Sequence, residues 1–124
     1  MNLFASIVLA LIFAVLTQAG VQTHYDGFFV SATMNISAYT DCSAMPSCWG
    51  ITASGKRTST GTVAAGPNIP FNIKVLIPSY GIGRIEDRGG SITDGHLDVW
   101  YKEYDDAMQF GRRHEEVKFY IGEN

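Results

Sequence analysis

The stretch Ile85–Trp100, "IEDRGGSITDGHLDVW", decides how this chain is read. It holds three aspartates, of which Asp87 and Asp98 border apolar runs, with the pair Gly89-Gly90 between them. "GIGRIED" and "HLDVWY" read as short strands. Along the second, His96, Asp98 and Trp100 share one face; Leu97, Val99 and Tyr101 share the other. An aspartate inside a strand is disfavoured by propensity and is tolerated where its face lines a cleft. A carboxyl in a cleft, beside an apolar wall and a second carboxylate, has its pKa raised by desolvation and by like charge. That keeps a carboxylic acid protonated at neutral pH and available as a proton donor. The glycine pair lets backbone approach a ligand closely. On this stretch alone, the plainer reading is a pair of solvated carboxylates at strand ends or turns, because perturbed carboxylates mark sites only statistically.

Outward from it, the chain reads as short strands separated by Gly and Pro. "FVSATMNISAY" alternates, with Val30, Ala32, Met34, Ile36 and Ala38 on one face and Ser31, Thr33, Asn35 and Ser37 on the other, which predicts a half-buried strand. "ITASGKRTSTG" is too rich in Ser, Thr and Gly for a helix. "TVAAG" reads as a strand stopped by Pro67, and "IKVLIP" as a buried strand bounded by prolines. "EYDDAMQFGRR" is the one helical stretch of the domain, with Tyr104, Ala107, Met108 and Gly111 at helical spacing and Gly111 placed to cap it. "EVKFYI" closes the chain as a strand with Val117, Phe119 and Ile121 inward. Six or so strands with one short helix predict an all-β fold, a small closed barrel.

Before the barrel, Leu3 to Val15 is apolar apart from one serine and is followed by "LTQAG", with small residues spaced as at a signal-peptidase site. It is short for a membrane span, which needs about 20 apolar residues, and no Lys or Arg precedes it. Residues 1–19 are therefore expected to be an export signal, or an anchor if uncleaved, and residues 20–124 one domain. A net charge of −3 and a pI near 5.5 offer no basic stripe for nucleic acid. His24, His96 and His114 show no metal-ligand spacing, and no metal or cofactor is expected. Cys42 and Cys48, in "DCSAMPSCWG", predict a small disulfide loop in an exported protein.

Several segments follow one another in one order: "AYT" (Ala38 to Thr40), "GITASGK" (Gly50 to Lys56), "GTVAAGPNIPF" (Gly61 to Phe71), "KVLIP" (Lys74 to Pro78), "EDRGGSI" (Glu86 to Ile92), "HLDVW" (His96 to Trp100) and "AMQFGRR" (Ala107 to Arg113). Together, from about Met34 to Ile121, they resemble the 3D domain, named for three aspartates. That domain occurs in membrane-bound lytic transglycosylase A and in small wall-cleaving proteins of bacteria and phages. The resemblance implies a double-psi β-barrel that cleaves peptidoglycan between N-acetylmuramic acid and N-acetylglucosamine, leaving a 1,6-anhydro sugar. Residue by residue, it makes Asp98 the catalytic acid and Asp87 its supporting carboxylate.

Two positions depart from the family. Its first aspartate stands before the proline of a "VAxDP"-like segment, where this chain has Gly66, and its "IPFGT" is here "IPFNI", with Asn72 and Ile73. A barrel that binds peptidoglycan without turnover is the alternative these departures leave open. A transglycosylase needs fewer groups than a hydrolase, which requires a second carboxylate to activate water or attack. Here the muramic acid's own 6-hydroxyl is the nucleophile, and one acid serves both proton transfers. Thr52, Ser54, Gly55, Lys56, Gly89, Gly90 and Tyr39 are expected to border the glycan; Lys56 reads most simply as surface charge, placed beside "TASG" where it could meet the muramyl carboxylate. Thr52 to Gly55 read equally as a polar turn, and Tyr39 and Trp100 as core aromatics. His96 reads as a solvated neighbour. The implied protein is a monomer of the periplasm, cell envelope or exterior, whose partner is the peptidoglycan strand.

Overall fold

Alternation builds the longest element. Phe29–Tyr39 puts Val30, Ala32, Met34 and Ile36 on one side, each about 1 % exposed or less. The computed structural model describes residues 2–40 and 50–122, in which seven strands and two helices follow one another. They are α1 (Leu3–Gln18), β1 (Thr23–Tyr25), β2 (Phe29–Tyr39), β3 (Thr62–Ala65), β4 (Lys74–Ile77), β5 (Gly81–Arg88), β6 (His96–Trp100), α2 (Tyr104–Phe110) and β7 (Arg113–Tyr120). Strands β2, β6, β3, β5, β4 and β7 are hydrogen-bonded in that order, and β7 returns to β2, so a six-stranded barrel closes as expected. Closure removes free strand edges. The pairs β2–β6 and β3–β5 are parallel and the other barrel pairs antiparallel. β1 lies against Val30–Ala32, on the edge of β2 that β6 takes further along.

The interior is filled by the inward residues of every strand, among them Met34, Val63, Val75, Ile85, Leu97 and Phe119, in one apolar cluster. β4 is buried on one face only: Val75 and Ile77 point in, while Leu76 is 40 % exposed. The continuous apolar run had predicted a strand buried on both faces. Its short, antiparallel setting on a barrel wall leaves one face to solvent.

One irregularity matters for the site. β3 and β5 pair Val63 with Ile85 and then Ala64 with Asp87, so Glu86 is an extra residue in β5. In an unbroken ladder Glu86 would face Ala64, and Asp87 would fall on the inward face beside Ala65. The bulge turns Asp87 outward instead.

The helices differ from expectation. α2 buries Ala107 and Phe110, whereas Tyr104 and Met108 are 51 % and 62 % exposed. A seven-residue helix has room for a single inward i, i+3 pair, and Phe110 wins it by packing against Tyr80 and Tyr101, with Tyr101 5.8 Å away between ring centroids. Gly111 ends the helix as expected, its N–H reaching Ala107 O. The N-terminal segment is a second helix, capped by Asn2 Oδ1 on Ala5 N at 2.7 Å. Its Ile12, Val15 and Leu16 join the barrel's apolar cluster, and Leu3 and Phe4 stay about three-quarters exposed. Among the described residues no helix is long and apolar enough to cross a membrane.

Candidate active site

The site is a row across the outer face of the barrel. Asp87 on β5 and Asp98 on β6 are both register partners of Ala64 on β3, and Asp98 is also the partner of Ser37 on β2. Register partners share a face, so Asp87, Ala64, Asp98 and Ser37 line up side by side. The two aspartates stand two strand spacings, about 9.5 Å, apart at Cα. The residue between them is alanine, so only a methyl group separates the carboxyls.

Asp98 is half-buried between Leu97 and Val99, whose side chains are fully inside. Burial pushes its carboxyl above the usual carboxylate range, and the charge of Asp87 adds a little; Ser37, His96 and Arg112 oppose the shift. Its hydrogen-bond partner is Ser37, whose Oγ donates to Asp98 Oδ1 at 2.9 Å. Ser37 Oγ also lies 2.7 Å from His96 Nε2. His96 is half-buried and tied to the hydroxyl that bonds Asp98, rather than a solvated neighbour.

Asp87 is held differently. Its oxygens accept from Tyr39 Oη at 2.7 Å, Ala53 N at 2.9 Å and Arg88 N at 2.9 Å. Two of these bonds gather other elements: Tyr39 from the end of β2 and Ala53 from the loop after residue 49. The loop is a tight turn closed by Thr52 N on Lys56 O at 2.7 Å and an Ile51–Arg57 bridge, with Gly55 at φ 89°. The bulge holds it from below. Glu86 O, out of the β ladder, accepts from Ser54 N at 3.1 Å, and Glu86 Oε2 pairs with Lys56 Nζ at 3.1 Å.

This placement gives several of the residues expected to border the glycan partners within the protein. Thr52 is 5 % exposed, and its hydroxyl is spent on Lys56 N and Ser54 Oγ. Ser54 and Gly55 shape the same turn. Lys56, about half exposed, pairs with Glu86 and donates to Asn72 Oδ1 at 3.2 Å. Gly89 and Gly90 are exposed, and a side chain at Gly89 would meet Ile92 Cγ1 at 2.6 Å. Trp100, 6 % exposed, is a core residue. Tyr39 acts through its hydroxyl on Asp87. The expected Cys42–Cys48 bridge lies outside the described residues. Among the described residues no group of three metal-ligating side chains comes together.

A family model, the 3D domain, matches residues 61–122, half of the chain. The chain belongs to the 3D domain family. No curated protein matches it. The matched part of the 3D domain holds both aspartates and begins after Ser37, Tyr39 and the Thr52–Lys56 turn, which the fold brings to the same row.

The two departures from the 3D-domain pattern have structural counterparts. Asn72 sits at φ 71°, the left-handed region in which asparagine follows glycine in tolerance. Its N–H still bonds Ile85 O at 2.7 Å, so the turn is kept. At Gly66 the backbone is ordinary but there is no room. An added Cβ would lie 2.3 Å from Asp94 Oδ1 and 2.5 Å from both Asp94 N and Thr93 C. Asp94 fills that space with its own carboxylate, accepting from Asn68 N at 3.1 Å and Asn68 Nδ2 at 2.9 Å. A carboxylate is thus present beside Gly66, supplied from the loop before β6. Sequence reasoning passed over Ser37, Asp94 and the bulge residue Glu86. The only signal for Ser37 was its place on the polar side of β2, two residues from Tyr39.

Proposed function

We propose that this 3D-domain barrel is a lytic transglycosylase acting on the glycan strands of peptidoglycan, with Asp98 as general acid and then general base. The observation that carries the reading is Asp98 itself: a carboxyl inside a strand, on an outer face, raised by burial, with one hydroxyl as its partner among the described residues. A carboxyl in that state holds a proton at a pH where ordinary aspartates have lost theirs.

The chemistry balances on this one group. Protonated Asp98 gives its proton to the glycosidic oxygen as the bond from muramic acid C1 to that oxygen breaks, and N-acetylglucosamine leaves with a free 4-hydroxyl. The muramic acid 6-hydroxyl attacks C1, forming the 1,6-anhydro bridge, and its proton returns to Asp98. No water is consumed and the acid ends protonated. Asp87 anchors Tyr39 and the Thr52–Lys56 turn beside the acid, and its charge contributes to keeping Asp98 protonated.

We further propose export to the cell envelope directed by residues 1–19, and action as a monomer. Intact mass of protein recovered from the envelope distinguishes a chain starting near Gly20 from one that keeps α1, the form that would remain at the membrane. The activity is tested by mass spectrometry of purified peptidoglycan after digestion with wild type and Asp98→Asn. Anhydro-muropeptides from the wild type alone support the reading. Reducing ends would make the protein a hydrolase. Unchanged material that co-sediments with both proteins would favour the binding barrel, the reading prompted by Gly66.

A further inference from the structure

We propose that Ser37 and His96 are positioning residues for Asp98, joined to it in a relay that moves one proton between the Asp98 carboxyl and the His96 ring. The proposal deepens the reading of Asp98 as the acid, and its consequences for rate rest on that reading; the relay itself does not.

The geometry comes from strand register. Ser37 on β2 lies directly beside Asp98 on the parallel strand β6, and His96 is two residues back on the same face of β6. Ser37 Oγ is 2.9 Å from Asp98 Oδ1 and 2.7 Å from His96 Nε2, so one hydroxyl touches both titratable groups. Three short side chains on two hydrogen-bonded strands leave little freedom to separate them. A hydroxyl carries one hydrogen and can accept another. That fixes two complementary states.

In the first, Asp98 is ionised. Ser37 donates to Oδ1 and its oxygen accepts from His96, whose Nε2 must then carry hydrogen. In the second, Asp98 is protonated and gives its hydrogen bond to Ser37 Oγ. Ser37 turns its own hydrogen to His96 Nε2, which must then be bare. Passing between the states shifts one proton from Asp98 to Ser37 and one from Ser37 to His96, with no heavy atom moving. The charged pair, carboxylate with imidazolium, and the neutral pair, carboxylic acid with imidazole, hold the same number of protons. The His96 ring therefore reports and biases the state of the acid.

During turnover the relay acts at the moment Asp98 has given up its proton. The carboxylate then receives a hydrogen bond from Ser37, whose hydrogen turns from His96 Nε2 to Asp98 Oδ1, and a hydrogen bond to an ionised acceptor is the stronger kind. This steadies the carboxylate until the 6-hydroxyl returns the proton. Other charged groups act on the pair through space. Arg112, just before β7, and Asp87 on β5 act on Asp98 with opposite signs. On β7, His114 bonds Asn35, the register partner of His96, at 2.9 Å.

The test is a nuclear magnetic resonance titration of the full chain, reading the His96 ring nitrogens and the Asp98 carboxyl carbon together. In the wild type the His96 ring-nitrogen signals should respond in step as the Asp98 carboxyl carbon titrates. Ser37→Ala should remove that shared step, and Ser37→Thr, which restores a hydroxyl, should bring it back. On peptidoglycan, Ser37→Ala should lower kcat about tenfold with a displaced pH profile and little change in KM, a smaller loss than the ~10² to ~10⁴ of a general acid. The proposal is overturned if the His96 signals behave identically in wild type and Ser37→Ala, or if they do not respond to the Asp98 step in the wild type. If the shared step is present but wild type leaves peptidoglycan intact, the relay stands and the enzymatic reading falls.

Discussion

Asp87 and Asp98 are the same residue type on the same face of the same barrel, one strand apart on either side of Ala64, and the fold treats them in opposite ways. Asp87 meets three donors, two of them backbone N–H groups, and its bonds tie β2, β5 and the Thr52–Lys56 turn together. Asp98, half-buried beside Ala64, meets one hydroxyl among the described residues. The first arrangement fixes a carboxylate as a structural post; the second leaves a carboxyl whose proton is the variable. Two aspartates in a row thus need not share a task, and donor supply, not proximity, divides it.

The strongest test of that division is Asp98→Asn. Loss of the acid should reduce release of anhydro-muropeptides by ~10² to ~10⁴, read as initial rate on purified peptidoglycan. Stability should move the other way. Burial raises the Asp98 carboxyl, so the native state binds its proton more tightly than the unfolded chain does. Its contribution is therefore complete in acid, below the ordinary carboxylate range, and is lost as pH rises through the raised native value. Asparagine has no such proton to lose. Thermal melts at neutral pH should show a Tm at or above wild type, with the difference closing as pH is lowered. A variant clearly less stable at neutral pH would move Asp98 into the same class as Asp87.

Restoring a third carboxylate at the glycine should fail. Gly66→Asp drives a side chain into Asp94 and into backbone, which should cost about 1–3 kcal/mol as an overpacked site. Denaturant midpoints read this directly, and a gain in activity without loss of stability would mean that the Asp94 loop gives way. Asp87→Asn should be of similar size in stability and much milder than Asp98→Asn in rate. An amide keeps both backbone bonds, because Ala53 N and Arg88 N donate to the same oxygen, and can turn its Nδ2 to the Tyr39 hydroxyl; what is lost is the charge behind these bonds, which should cost about 1–2 kcal/mol. Removing its charge also lowers the Asp98 carboxyl slightly, so the alkaline limb of the rate profile should move to lower pH. Smallest is Tyr39→Phe, which takes one of three donors from Asp87 and should lower stability by about 0.5–1.5 kcal/mol.

Much of this was legible in the sequence because it depends on one strand at a time. Alternation in "FVSATMNISAY" placed Met34 inside and Ser37 outside, and the mid-strand Asp98 announced a special face. What depends on two strands was not legible. Alternation says which face Ser37 occupies and nothing about which neighbour lies across from it, so its contact with Asp98 and His96 had to come from register. The same holds for Lys56, whose partner Glu86 is thirty residues away in sequence and becomes a neighbour only through the bulge. Asp94 lies in a loop with no period, and its contact with Gly66 left no pattern to read. The α2 stripe misled because a 3.6-residue period counts apolar residues without weighing them, and Phe110 outweighs Tyr104 and Met108 in what it can bury.

The bulge at Glu86 has a consequence for chain length. If Glu86 were deleted, the ladder would run Ile85 to Val63, Asp87 to Ala64 and Arg88 to Ala65 without interruption, the pairings that already flank the gap. Asp87 would keep its face and the row to Asp98 would survive. What would go is the carbonyl that holds Ser54 and the carboxylate that holds Lys56. This is the place in the barrel where one residue can be lost without disturbing the pair of aspartates, and the turn over the site is what that residue maintains. A single-codon deletion would therefore separate the two inheritances of β5, the row and the turn.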